Sequence, residues 1–420
     1  MGTTITPDAV ATSVRSTGAV GDGTGDDTAA FAAAMDSALA GSHRFAAGPS
    51  GQPQAVVYVP PGTYRLYRLT FKSDVRLEVD AGAVLEQAGG IEAARNKSDA
   101  PFLIIWDGTS ATAPLRNVSV VGVGTHTGGV KDLASPVEPG WNIDNSFTLN
   151  LDPKTTNANQ KIGAIQLLYV DGFLIQNVFS IQNATLPDPA AVKASGGSYP
   201  WPTTDKAAIL LRPRNDSPPN GPFADPHNGS ILHQYNINGS YGYGPNQITS
   251  GHNIRVSQVY SSGGTALRLE TDATKKKSFG GEVRGLTADT IMGVNCNRAV
   301  SFAPHGQKNY DVHVTQVVAR SCHQGVIESA DESLGAAARG GFWDSTMNSV
   351  AVVGGLQAQD PVQLGGSAGA WKIGASVQSF ARDAKATWDV VFSNLSCQGP
   401  FPSPANPIMI GATRQVPTCQ

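Results

Sequence analysis

Charged side chains are sparse in this chain: Asp, Glu, Lys and Arg make up 15% of its 420 residues, and the formal net charge is −3. Neither sign dominates, which argues against a whole-molecule attraction to nucleic acid or to an anionic membrane. Long apolar runs are missing as well, since none approaches the ~18 residues that a membrane span needs. The first residues carry no n-region and h-region of a signal peptide. Cysteine is rare: Cys296, Cys322, Cys397 and Cys419 are the whole complement, and their spacings fit no zinc motif. An even number is compatible with two disulfides and export, or equally with four buried thiols. Helix-forming Glu, Lys and Leu are scarce relative to Val, Ile and Thr, while 47 glycines and 27 prolines supply frequent turns. That balance predicts strands.

The strands are organised as a solenoid. Gly18 to Gly23 is a glycine-rich turn, Asp26-Asp27-Thr28 is suited to N-cap a helix, and Ala29 to Leu39 is a short alanine-rich helix with Phe31 and Met35 on one face. Val56-Val57-Tyr58-Val59-Pro60-Pro61-Gly62 is then a strand closed by a turn, followed by alternating segments at Tyr64–Phe71 and Val75–Leu85. A helix ahead of unbroken strand-turn-strand is what a solenoid needs to cover its open end. Further on, Asn253-Ile254-Arg255-Val256, Glu282-Val283-Arg284 and Asp311-Val312-His313 begin about 29 residues apart, each with a second apolar strand behind it. Turns recurring every 8–12 residues and irregular coils of about 22–30 fit a parallel β-helix. A sandwich would need Asn-Gly or Asp-Gly hairpins between most strands, and few occur. The expectation is therefore an all-β, right-handed parallel β-helix, one domain over residues 1–420. Its N-terminal cap falls at about 18–45, and long insertions at about 124–160 and 184–228. Trp141, Tyr199 and Trp201 in those insertions either stack on sugars or pin the loops to the solenoid. Cys296 and Cys322 lie about one coil apart, where stacking would bring them together.

The N-terminal pattern, Gly-Ala-Val-Gly-Asp-Gly through Asp-Asp-Thr-Ala-Ala-Phe to Val-Tyr-Val-Pro-Pro-Gly-Thr-Tyr, resembles the opening of the pectin-lyase-like β-helix superfamily. That superfamily holds hydrolases, lyases, epimerases, esterases and adhesins, so fold implies a substrate class and no single reaction. The segment Gly264 to Asp272, with Ala303-Pro304-His305-Gly306 one coil later, is similar to the active-site region of iota-carrageenases, which are inverting hydrolases of a sulfated galactan. The resemblance implies Glu270 as general acid and Asp272 as general base, with His305 and Gln247 supporting them from the neighbouring coils. Gln247 precedes Glu270 by 23 residues, one coil.

The residues support this chemistry on their own terms. On a strand, Glu270 and Asp272 point the same way, with Cα atoms about 6.5–7 Å apart. Inversion wants carboxyl groups about 6.5–9.5 Å apart, with space for water; retention, at about 5–5.5 Å, stays open. Two like charges this close should push one carboxyl up, as a general acid requires. Alternation sets Arg268, Glu270 and Asp272 outward and Leu267, Leu269 and Thr271 inward, although an outward Glu-x-Asp is also an ordinary solvated strand face. His305 sits in a Pro-His-Gly corner, compatible with a supporting or a capping role. Residues 251–340 carry ten basic and eight acidic side chains, and the rest of the chain is correspondingly acidic. This local excess suits an anionic polysaccharide, with Arg268, Arg298, Lys275, Lys276, Lys277 and Trp201 as candidate substrate contacts. The Lys run is equally a solvated loop.

The functional expectation is a secreted, extracellular, endo-acting glycoside hydrolase of a sulfated, carrageenan-like galactan. It requires no cofactor, a structural calcium or chloride is left open, and nucleic acid and membrane are not among its partners. The alternatives are a polysaccharide lyase or other uronate-active β-helix enzyme, and a non-catalytic carbohydrate-binding adhesin. A lyase would need a Lys or Arg base and often several Asp for calcium, and no such acidic cluster stands around 240–330. His252 follows Ser250-Gly251 as in polygalacturonases, but Asn253 replaces the second glycine of their Gly-His-Gly.

Overall fold

The computed structural model describes residues 2–45, 47–88, 102–108, 113–151, 162–182, 207–213, 225–239, 243–271, 281–322, 324–328, 340–353, 378–382 and 390–398. Every ladder between its strands is parallel, and successive coils pair edge to edge as a right-handed β-helix with three faces. The first face stacks Leu69–Thr70, Phe102–Trp106, Gly163–Leu167, Ile209–Leu211, Asn246–Ile248, Thr265–Glu270, Arg298–Ala303, Gln324–Glu328 and Gln378–Arg382. The other two share long strands that turn a corner. Val170–Ile181 pairs with Leu115–Val123 through its first half and with Phe147–Asn150 through its second.

Left-handed residues make these corners. Positive φ recurs five residues apart at Gly172 and Asn177, at Asn228, His233 and Asn238, at Asn253, Gln258 and Gly263, at Gly285, Thr290 and Asn295, and at Asp311, Gln316 and Ser321. One such residue turns the chain without ending the ladder, and Gly, Asn and Asp tolerate it best. At the first corner the asparagines also bond along the axis: Asn253 Nδ2 donates to Asn228 Oδ1 at 3.1 Å, and Asn228 Nδ2 to Asp171 Oδ1 at 2.9 Å. The even 29-residue spacing read from the sequence resolves into unequal coils. Gly251 pairs with Val283 and Arg284 with Tyr310, so it is Ser250, not Asn253, that stands level with Glu282.

Inward side chains form one apolar core along the axis, from Val57 and Leu77 through Trp106, Ile175, Val256 and Leu269 to Phe302 and Met347. The helix α1 (Thr28–Ala40) closes the first coil with Phe31, Ala34, Met35 and Ala38 buried, and the Phe31 ring meets Tyr64 edge-on at 5.5 Å. Asp27 stands at its N-cap but spends its carboxylate elsewhere, accepting from the Val20 backbone N–H at 2.8 Å and tying the helix to the glycine-rich turn. Cys296 and Cys322, on adjacent coils, are joined in a disulfide. In the first insertion, Trp141 is a pin. Its ring stacks on His233 at 6.1 Å and packs against Tyr235 and Tyr260, which themselves stack at 4.1 Å. Tyr199 and Trp201 lie outside the described residues, as do Cys419 and most of the second insertion.

Candidate active site

The site forms where the first face ends and the chain turns toward the second. Thr265–Glu270 buries Ala266, Leu267 and Leu269 and sends Arg268 and Glu270 outward. Three aligned coils then place the neighbours. Gln247 is in register with Arg268, and Glu270 is in register with Ala303. Ala303 presents only a methyl there, and two residues later His305, at φ 46 in the corner, brings its imidazole back to Glu270.

Both carboxylate oxygens of Glu270 are engaged. Oε2 accepts from Gln247 Nε2 at 2.6 Å. Oε1 accepts from Arg268 Nη2 at 2.5 Å and lies 3.5 Å from His305 Nε2. The Arg268 guanidinium in turn lies over the Tyr243 ring, 4.6 Å from its centroid. Arg268 and Glu270 are 16% and 12% exposed, so this pair is shielded but reachable from solvent.

Sequence reasoning thus locates Gln247, Arg268, Glu270 and His305 in one cluster. Burial is the largest single influence on the Glu270 carboxyl and pushes it up. The His305 imidazole and the Arg268 guanidinium together outweigh burial and hold the carboxyl down at about 2. The expectation that carboxylate repulsion raises this group is therefore corrected: its own cations decide its charge. Asp272, Lys275, Lys276 and Lys277 lie outside the described residues. Arg298 begins its strand level with Thr265, about 16 Å along the strand direction from the Glu270 level at ~3.3 Å per residue, so it belongs to a more distant part of the face.

The structure also adds residues. Tyr243, the platform beneath Arg268, carries no periodic signal in its Tyr-Gly-Tyr-Gly-Pro segment and is visible only in the fold. Around the corner, His252 Nε2 lies 3.4 Å from Glu282 and 3.8 Å from Asp225. Burial pushes the Asp225 carboxyl up to about 6, with the Ser250 hydroxyl opposing and the Glu282 charge reinforcing. These groups come from three successive coils, so no local motif announces them. Among the described residues, no group of three or more His, Cys, Asp or Glu is arranged to hold a metal ion.

Comparison with known proteins adds to this geometry. A family model for rhamnogalacturonase A/epimerase, pectate lyase-like proteins matches residues 11–83. Over 270 residues the chain is 28% identical to the iota-carrageenase of Zobellia galactanivorans, which is 64% of this chain and 44% of that protein. Over 312 residues it is 25% identical to the iota-carrageenase of Alteromonas macleodii, 74% of this chain and 50% of that one. The chain thus spans about half the length of the curated relatives it matches. It also superposes on the solved family GH82 iota-carrageenase from A. fortis with a TM-score of 0.70 at 20% identity, covering 99% of this chain and 93% of that one. The chain is therefore a parallel β-helix whose first coils match a pectate lyase-like family model, and it is similar in sequence to iota-carrageenases.

Proposed function

We propose that this protein is an extracellular, endo-acting glycoside hydrolase that cleaves a sulfated galactan of the carrageenan type with inversion. The observation that carries the reading is the clustering of Arg268, Glu270, Gln247 and His305 at a strand end, in a chain similar to iota-carrageenases. Glu270 protonates the glycosidic oxygen, and Asp272 takes a proton from the attacking water on the opposite face of the sugar. Gln247 and His305 orient the Glu270 carboxyl. Arg268 and, farther along the cleft, Arg298 meet sulfate groups, as do Lys275, Lys276 and Lys277, while Trp201 stacks on a sugar ring. The reaction so written needs no cofactor. The Cys296–Cys322 disulfide supports an oxidising compartment, and no helix among the described residues is long and apolar enough to cross a membrane.

The test is reducing-end release from iota-carrageenan by the wild type and by Glu270→Gln and Asp272→Asn. Each variant should lose about 10²–10⁴-fold in kcat, and proton NMR in the first minutes should show the inverted anomer. Near wild-type turnover by both variants would remove the assignment. Unsaturated ends absorbing in the ultraviolet would point to a lyase instead.

A further inference from the structure

A general acid must hold a proton when substrate arrives, yet the Glu270 carboxyl stands as a carboxylate. Its two oxygens meet an amide N–H, a guanidinium N–H and an imidazole nitrogen at 2.6, 2.5 and 3.5 Å. Something must remove charge from this cluster before Glu270 can act. Gln247 is neutral and 6% exposed on its strand, so releasing it changes no charge. His305, 3.5 Å away, also holds the carboxyl down, but it is not a fork that matches a sulfate. Arg268 makes the short, charged contact, and its chemistry allows exchange. A guanidinium offers five donors in a planar fork that matches the paired oxygens of a sulfate. The Tyr243 ring, 4.6 Å beneath it, supports a turn within the guanidinium plane.

We propose that Arg268 is an exchangeable counter-ion and a specificity-determining positioning residue: a sulfate ester of the bound substrate draws the guanidinium from Glu270, and only then does Glu270 take up the proton that it delivers. This rests on the hydrolase reading above. The steps balance. When the guanidinium moves to sulfate, Glu270 loses the charge and hydrogen bond of Arg268 while burial and the His305 contact remain, so the carboxyl shifts upward and binds one proton from solvent. That proton passes to the glycosidic oxygen as the bond to the anomeric carbon breaks. Asp272 accepts a proton from the water as the new bond to that carbon forms. Product then leaves with its sulfate, Arg268 returns to Glu270, and solvent exchange resets both carboxyls. Sulfation of the substrate therefore acts on turnover as well as on binding, and a desulfated galactan would meet a site whose acid is still ionised.

Carbon-13 NMR of the glutamate side-chain carboxyls in the intact protein tests this directly, with Glu270→Gln identifying the signal. Inorganic sulfate should move the Glu270 titration midpoint upward by about one pH unit or more. Arg268→Gln should move it upward without sulfate and abolish the response. Arg268→Lys, which keeps the charge but loses the fork, should leave the midpoint low with a weakened sulfate response. A Glu270 signal indifferent to sulfate in the wild type overturns the proposal, whether or not the variants fold. Kinetics on the sulfated galactan give a second readout. The alkaline limb should lie at higher pH for kcat than for kcat/KM in the wild type, and the two limbs should converge in Arg268→Gln. A merely structural arginine would lower kcat and leave the gap unchanged, which would also overturn it. Failure to cleave any sulfated galactan would sink the hydrolase reading, and the sulfate titration would still decide the exchange.

Discussion

Replacing Glu270 by glutamine should make stability less dependent on pH, by an amount that follows from the site. The folded protein holds this carboxyl at about 2 against an ordinary value of 4.5. At about 1.4 kcal/mol per pH unit, the difference corresponds to about 3 kcal/mol favouring the fold. Because the folded value is the lower one, this contribution is complete above pH 4.5 and is lost as pH falls toward 2. Linkage leaves less than half of it at pH 3 and little at pH 2. Glutamine keeps the shape but does not ionise, so it removes the charge from a contact whose two members are 16% and 12% exposed. The variant should therefore be less stable than the wild type at pH 6, and the gap should close progressively between pH 5 and pH 3. Urea unfolding at pH 6, 4 and 3 measures this, provided both proteins unfold with the same m value. A gap that stays constant over that range would show that the Arg268–Glu270 pair contributes no differential proton binding, and the electrostatic account of the site would fail.

Two further outcomes test the scaffold. Cys322→Ser opens a loop with a sequence separation of 26 residues and should cost about 3.5 kcal/mol on the loop-entropy model, read as a lower urea midpoint at unchanged kcat. Trp141→Ala removes the pin on His233, Tyr235 and Tyr260 and should cost about 2 kcal/mol, somewhat less than a fully buried tryptophan. Limited proteolysis should then open the segment around 124–145, with KM for the galactan unchanged; a raised KM would mean that Trp141 touches substrate after all.

How far the fold was legible depends on the range of the interaction that specifies each part. Alternating Leu267, Arg268, Leu269 and Glu270 declares an inward and an outward row within six residues, and the chain obeys it. Phe31 and Met35 declare the buried face of α1 in the same way. The corners were not legible as corners. A single left-handed residue at His233, Gln258 or Gln316 leaves no break in the apolar pattern, so three faces read as two strands per coil. The coil length was blurred for a related reason, because Gly251 pairs with Val283 but Arg284 with Tyr310, and only their average is regular.

The site divides along the same line, and the division bears on mechanism. Positions in one strand are set by local geometry, which is why Arg268 and Glu270 share a face; Gln247 and His305 entered through the resemblance to iota-carrageenases, and the folded chain brings both to Glu270. Charge is not local in that sense. From the sequence, Glu270 and Asp272 form a pair of like charges, and the visible term is repulsion. In the folded protein Glu270 has its own strand neighbour Arg268 at 2.5 Å and a corner histidine at 3.5 Å, and attraction wins. Arg268 was legible only as a substrate contact; its bond to the acid is a consequence of i and i+2 sharing one face. A guanidinium drawn toward a sulfate holds Glu270 less strongly. A β-strand that places an arginine beside its acid therefore makes the charge of the acid depend on whether an anion has arrived.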